Sequence, residues 1–228
     1  MKVLLLPGLD GTGTLFSGLI KALPKQWTTE TICLSKLPGD SYLAQAQSIA
    51  KSYLNEKTYI IAESYSGRVA YELSLLAPEK ILGITFIASF ISSPSLLSKA
   101  AQLAPISLID CPSLTKITLN FFGFNGKGSD ILIDSTYNAL LNTNRGKLKQ
   151  RLHNIASISK PSQNLEIPAV YIRPDRDRLV SKKAAIDISA IYINLNVIDI
   201  PGGHFIAQAH PNKVARIIMN FAEGLLLP

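Results

Sequence analysis

The sequence predicts an α/β fold: a mostly parallel sheet of about six strands, helices on both faces, and one helical insertion. Three observations lead there. Residues 1–91 alternate short apolar runs with stretches of helical apolar spacing. The same alternation returns over 163–228. Between them, 92–162 is helical in character, punctuated by Pro and Gly, with no clear strand. Strands that are apolar along their whole length belong to a parallel sheet covered on both faces. The expected organisation is therefore one core, 1–91 and 163–228, interrupted by an insertion at 92–162.

The elements follow in order. Val3 to Leu6 is an apolar run ended by Pro7-Gly8, and Leu15 to Leu23 has helical spacing. Thr29 to Leu34 is rich in β-branched residues and reads as a strand. Tyr42 to Leu54 is an amphipathic helix after a Gly-Asp-Ser start. Thr58 to Ala62 is a strand, Arg68 to Leu76 a helix stopped before Pro78, and Ile81 to Ala88 a buried strand. After the insertion come a strand at Ala169 to Ile172, a helix at Lys182 to Ile191 and a strand at Leu195 to Ile200. A last helix runs from Pro211, a residue suited to a first turn, to Ala222.

Composition narrows the class. The chain has 228 residues, 47% apolar and 17% charged, which suits one globular domain and excludes a disordered chain. Apolar runs such as Ile84 to Ile91 fall well short of the roughly 18 residues of a spanning helix, so no membrane span is expected. The apolar stretch at the start covers four residues, against about 7–15 in a signal peptide, so it reads as a first strand in a cytoplasmic protein. The two cysteines, Cys33 and Cys111, fit no metal or redox spacing and are expected as buried free thiols, with no metal site. The net charge of +7 is concentrated in the insertion, which carries eight bases and three acids. No nucleic-acid motif or aromatic-basic stripe accompanies it, so nucleic acid is not an expected partner.

Four segments carry chemistry. In Ala62-Glu63-Ser64-Tyr65-Ser66-Gly67, a strand meets a sharp turn and a helix. A serine at such a turn has a strained backbone and an exposed hydroxyl, with small residues two positions away on each side. Alanine and serine stand here where G-x-S-x-G has glycine, and a plain helix cap is the competing reading of Ser64. In Pro7-Gly8-Leu9-Asp10-Gly11-Thr12-Gly13, a Gly-rich loop follows the first strand. It matches neither dinucleotide nor phosphate-loop spacing, and a simple β–α turn is the alternative.

Arg173-Pro174-Asp175-Arg176-Asp177-Arg178-Leu179-Val180 is a charged turn after a strand. Asp177 is the candidate acid, Asp175 its rival, and a solvated charged turn the third reading. Pro201-Gly202-Gly203-His204-Phe205 places a histidine in a flexible loop past the last strand. Of the other histidines, His153 reads as a surface residue of the insertion, and His210, before Pro211, as structural. Serine, aspartate and histidine occur in that order, each just after a strand, as in one established arrangement for nucleophilic catalysis.

On these residues the chain resembles the α/β-hydrolase superfamily over nearly its whole length. It is most similar to small bacterial carboxylesterases of the pimeloyl-acyl-carrier-protein methyl ester esterase type, which serve biotin synthesis. The matching features are Pro7-Gly8-Leu9, Glu63-Ser64-Tyr65-Ser66-Gly67, Ile87-Ala88-Ser89, Asp177-Arg178-Leu179-Val180 and Gly203-His204-Phe205. Pro7-Gly8 replaces the usual His-Gly, and the first strand corresponds to the third of a full eight-stranded sheet.

The resemblance implies an α/β-hydrolase fold with 92–162 as a helical lid. It implies Ser64 as nucleophile, His204 as general base and Asp177 as the acid that orients it, with the amides of Leu9 and Tyr65 as the oxyanion hole. It implies a small acyl ester substrate and no cofactor. A thioesterase or lipase-like enzyme would use the same residues, and a non-catalytic ligand-binding relative would keep only the fold. The basic run Arg145, Lys147, Lys149 and Arg151 is a candidate docking surface for an acidic acyl carrier protein, or else a solvated helix face.

Overall fold

A computed structural model describes residues 1–95 and 106–226. Six strands form one sheet: β1 (Lys2–Leu6), β2 (Thr28–Thr31), β3 (Thr58–Glu63), β4 (Ile81–Ile87), β5 (Ala169–Pro174) and β6 (Leu195–Ile200). Their spatial order is β2-β1-β3-β4-β5-β6, and every pairing is parallel. The first strands are wound to one side and the last to the other, so the crevice beyond the carboxyl ends of β1 and β3 falls near the middle of the sheet.

Alternation within each buried strand divides the core in two. Leu4, Leu6, Ile60, Ala62, Ile84 and Phe86 face α2 (Tyr42–Tyr53), α3 (Ser66–Leu76) and a short helix at Lys183–Ser189. Val3, Leu5, Tyr59, Ile61 and Ile87 face α1 (Ser17–Ala22) and the C-terminal helix Pro211–Gly224. Successive side chains on a strand point to opposite faces, which is why neighbouring leucines of β1 belong to different layers. Inside this core Tyr59 Oη is partnered by Thr85 Oγ1, 2.6 Å away.

All six expected strands are present, with end shifts of physical origin. The strand expected over Thr29 to Leu34 ends at Thr31, where its pairing with β1 stops. Its β-branched tail still serves burial: Ile32 is fully buried, and the chain turns through a 3₁₀ segment at Leu34–Lys36. The helix expected from Leu15 opens as a 3₁₀ turn, Thr14–Phe16, before becoming α-helical. Helix α2 starts where the Gly-Asp-Ser signal places it, with Ser41 Oγ accepting from Ala44 N–H at 3.1 Å. The cysteines depart from expectation. Both are free, but Cys33 is only half-buried and Cys111 is exposed.

Between β4 and β5 the described residues contain helices and turns. They are α4 (Pro112–Thr118), a π-helical turn at Leu119–Gly123, α5 (Asp130–Leu141) and α6 (Arg145–Ala156). Ser129 caps α5 and Asn144 caps α6 through side-chain oxygens. After α6 the order is α7 (Lys183–Ser189), α8 (Ile206–Ala209) and α9 (Pro211–Gly224). Among the described residues no helix is long and apolar enough to cross a membrane.

Candidate active site

Strand β3 delivers Ser64. Immediately after Glu63 the chain enters a left-handed turn, with φ of +50° at Ser64, then starts α3. A non-glycine residue there is strained. The surroundings hold it: Ser64 N–H donates to the Ile87 carbonyl at 3.0 Å, and the Ser64 carbonyl accepts from Gly67 N–H and Ser89 Oγ. Ser64 does not cap α3. Tyr65 occupies the cap position, and no side chain bonds the helix there.

The departure from G-x-S-x-G has a local explanation. Ser66 uses its hydroxyl to donate to the Pro7 carbonyl, which ties the turn to the Gly-rich loop. The close approach that demands glycine falls one residue later. A Cβ on Gly67 would lie 2.1 Å from Ser89 Oγ and 2.6 Å from the Phe90 carbonyl.

His204 and Asp177 converge on Ser64. His204 Nε2 lies 2.9 Å from Ser64 Oγ, and Nδ1 lies 2.8 Å from Asp177 Oδ2. Asp177 is engaged at both oxygens, and Oδ1 accepts Leu179 N–H at 2.8 Å and Val180 N–H at 2.9 Å. It can only accept from Nδ1, so the proton sits there and Nε2 is free to receive one from the serine. Burial alone would lower the imidazole pKa. The charge and hydrogen bond of Asp177, with Glu63 adding, reverse that and hold it above the ordinary histidine value.

Asp175 has a different task. Its Oδ1 accepts Gly202 N–H at 2.9 Å, and Arg176 N–H donates to the Gly202 carbonyl. Both bonds brace the histidine loop. His153 is exposed on α6, and the exposed His210 supplies a backbone carbonyl to the first turn of α9.

Leu9 lines the same cavity as Ser64, and Tyr65 follows Ser64 in the chain. Among the described residues, neither backbone N–H is committed to another acceptor. The Tyr65 side chain is fixed below: its hydroxyl accepts from Asn154 Nδ2 at 2.9 Å and its ring stacks on Tyr42 at 4.7 Å.

A cavity of about 300 Å³ opens beside Ser64 and His204. Its walls are mostly apolar, among them Leu15, Phe90, Leu119, Phe122, Leu140 and Ile155. The insertion supplies much of this wall and touches every loop of the site. Gly123 O accepts from Phe205 N–H at 3.0 Å, and Phe121 O accepts from Arg178 at 2.9 Å. Among the described residues no cluster of three His, Cys, Asp or Glu could hold a metal ion.

The basic run of α6 is not one open face. Arg151 is 2% exposed, which corrects its expected part in partner docking, because a side chain without solvent access cannot meet a partner. Arg145 bonds Asp110 at 2.6 Å, Lys147 bonds Asp40 at 2.5 Å, and Lys149 is exposed.

Glu63 is the site residue that sequence reasoning passed over. Burial raises its carboxyl to about 7, opposed by a hydrogen bond from Gln208 and reinforced by Asp10. An acid closing an otherwise apolar strand, after Tyr59 to Ala62, was the available signal.

Sheet order, the strained serine turn and a helical insertion over the carboxyl edge define the α/β-hydrolase fold, and known structures agree. The chain is similar to a membrane phospholipase A described as a bacterial virulence factor, with TM-score 0.83, 16% identity, and coverage of 100% of this chain and 80% of that one. It is similar to an esterase from Exiguobacterium antarcticum, with TM-score 0.81, 13% identity, and coverage of 98% and 92%. It is also similar to a thermophilic esterase from Thermogutta terrifontis, with TM-score 0.78, 14% identity, and coverage of 99% and 90%. No protein-family model and no curated protein matches by sequence. At these identities the likeness establishes the fold, and chemistry rests on the site itself.

Proposed function

We propose that this protein is a serine hydrolase that cleaves a carboxylic ester through an acyl-enzyme on Ser64. One observation carries the reading: two hydrogen bonds link Ser64, His204 and Asp177 in line at the mouth of an apolar cavity. His204 Nε2 takes the Ser64 proton as Oγ adds to the ester carbonyl. The resulting oxyanion is met by the N–H groups of Leu9 and Tyr65, an effect of about 3–4 kcal/mol per donor in comparable sites. Collapse breaks the bond to the alkoxide, which leaves with the proton from His204. Water then adds to the acyl-enzyme, gives its proton to His204, and releases the acid and free Ser64.

The apolar lining favours an uncharged acyl group. The finer reading is a methyl ester of an acyl chain carried on an acyl carrier protein. Its support is the motif resemblance and the exposed Lys149 of α6.

A panel of p-nitrophenyl esters tests the reaction, beside a dicarboxyl methyl ester both free and carrier-linked. Turnover that disappears in Ser64→Ala and His204→Ala is expected. Turnover that survives both substitutions contradicts the mechanism. A carrier-linked ester cleaved no faster than the free one removes the carrier protein from the reading.

A further inference from the structure

The insertion sends one charged side chain into the interior. Arg151, from the last turns of α6, passes beneath the Gly-rich loop after β1. Its Nη1 donates to the carbonyls of Leu9 and Asp10, each at 3.0 Å, and its Nη2 donates to Ser35 Oγ at 2.7 Å. Thr143, between α5 and α6, adds a bond from its Oγ1 to the Asp10 carbonyl at 3.0 Å. Among the described residues Arg151 forms no ion pair, and its Nε is buried without a partner. A guanidinium enclosed this way is a costly means of filling space.

The loop is shaped around that guanidinium. Gly11 has φ of +65°, and a Cβ there would fall 2.4 Å from Arg151 Cζ. The carbonyls it holds bracket the reactive donor. Upstream, the Pro7 carbonyl is held by Ser66; downstream, the Leu9 carbonyl is held by Arg151. The peptide that carries Leu9 N–H lies between these two anchors, and its own carbonyl, on Gly8, accepts from Gly11 N–H at 3.0 Å, the glycine packed against the guanidinium. A donor is effective only if its direction is set before charge develops.

We infer that Arg151 is a positioning residue for the oxyanion site, reaching from the insertion to fix the direction of Leu9 N–H. The inference rests on the serine-hydrolase reading. It makes the insertion part of the catalytic frame, in addition to a wall of the pocket. The group acts through Leu9 and touches no substrate, so its removal should slow the chemical step and leave ground-state binding alone.

The experiment compares wild type with Arg151→Met and Arg151→Lys on p-nitrophenyl butyrate and on a small fluorophosphonate. For Arg151→Met, kcat and the phosphonylation rate should both fall about 10–100-fold, with KM within about twofold and the acid limb of the pH profile unmoved. Arg151→Lys keeps the charge and one donor and should recover part of that loss. Should Arg151→Met fail to fold, Arg151→Lys and Thr143→Val carry the test, each expected to lower kcat at unchanged KM. Folded variants with wild-type kcat, or with raised KM at unchanged kcat, would overturn the inference while leaving the hydrolase reading intact. A wild-type protein that neither labels nor hydrolyses would end both.

Discussion

Strand β3 and helix α6 are built in opposite ways. Every residue of β3 is buried, it pairs on both sides, and its apolar side chains divide between two core layers. Helix α6 buries only Leu148, Arg151 and Asn154, and two of those three are polar. Arg151 and Asn154 reach carbonyls or hydroxyls more than a hundred residues away in the chain, apart from the Asn154 bond to Tyr65. The sheet is thus held by area removed from water, which is non-directional. The insertion is seated by directional bonds, several of which end on the Gly-rich loop or on Tyr65 of the candidate site. Position of the insertion and position of the catalytic loops are therefore one problem.

Substitutions can separate the two regimes. The largest effect is expected at the acid. Asp177→Asn should lower kcat by about 10⁴-fold with little change in fold. It should also move the acid limb of kcat/KM to lower pH. Catalysis needs neutral His204, whose pKa Asp177 holds above the ordinary value, and amide in place of carboxylate removes that support. A pH–rate profile of both proteins checks the direction.

In the sheet, Ile61→Ala should cost about 2–5 kcal/mol by urea denaturation, because a fully buried side chain between two layers leaves a cavity. Its effect on KM should be small. An equal loss of stability from a substitution confined to the exposed face of α6 would break the distinction.

Glu63→Gln is next in size and reverses the usual sign. The carboxyl titrates near 7 when folded, against the ordinary 4.5. Between those values the folded protein binds a proton that the unfolded chain has released, so stability falls as pH rises through that window. The amide removes the penalty. At pH 8 the variant should gain up to about 3 kcal/mol over wild type, and the gain should vanish below about pH 4.5. Urea midpoints at three pH values follow it.

The smallest effect is expected from Lys147→Ala. Its pair with Asp40 is partly exposed, and such pairs contribute about 0–1 kcal/mol. A loss well above that would mean that charge, as well as hydrogen bonding, seats the insertion.

The same contrast explains what was legible in the sequence. Strands β1, β3, β4 and β5 were, because a continuous apolar run between breakers reports burial on both faces without reference to distant residues; the edge strands β2 and β6 are only partly buried, and β2 was legible from its β-branched residues. That Ser64, Asp177 and His204 would meet was legible because each stands just past a strand, where the fold brings chain ends together. The choice of Asp177 over Asp175 was weaker in the sequence, since both sit in one charged turn; only the hydrogen bonds separate them. Arg151 was misread. Its neighbours Lys147 and Lys149 made it look like part of a basic surface, and no local pattern says that one of three bases turns inward. Ser66 departs from the G-x-S-x-G pattern, and its hydroxyl anchors the Gly-rich loop, which the pattern does not show. Directional bonds between remote segments leave no periodic trace in a sequence, whereas burial does.

The central claim is that Ser64 is a nucleophile poised by His204 and Asp177. Mass spectrometry after treatment with a fluorophosphonate addresses it most directly. A single adduct is expected on the peptide carrying Ser64, absent in Ser64→Ala and formed far more slowly in His204→Ala. No adduct on the folded protein, or an adduct on another residue at an undiminished rate in Ser64→Ala, would contradict it.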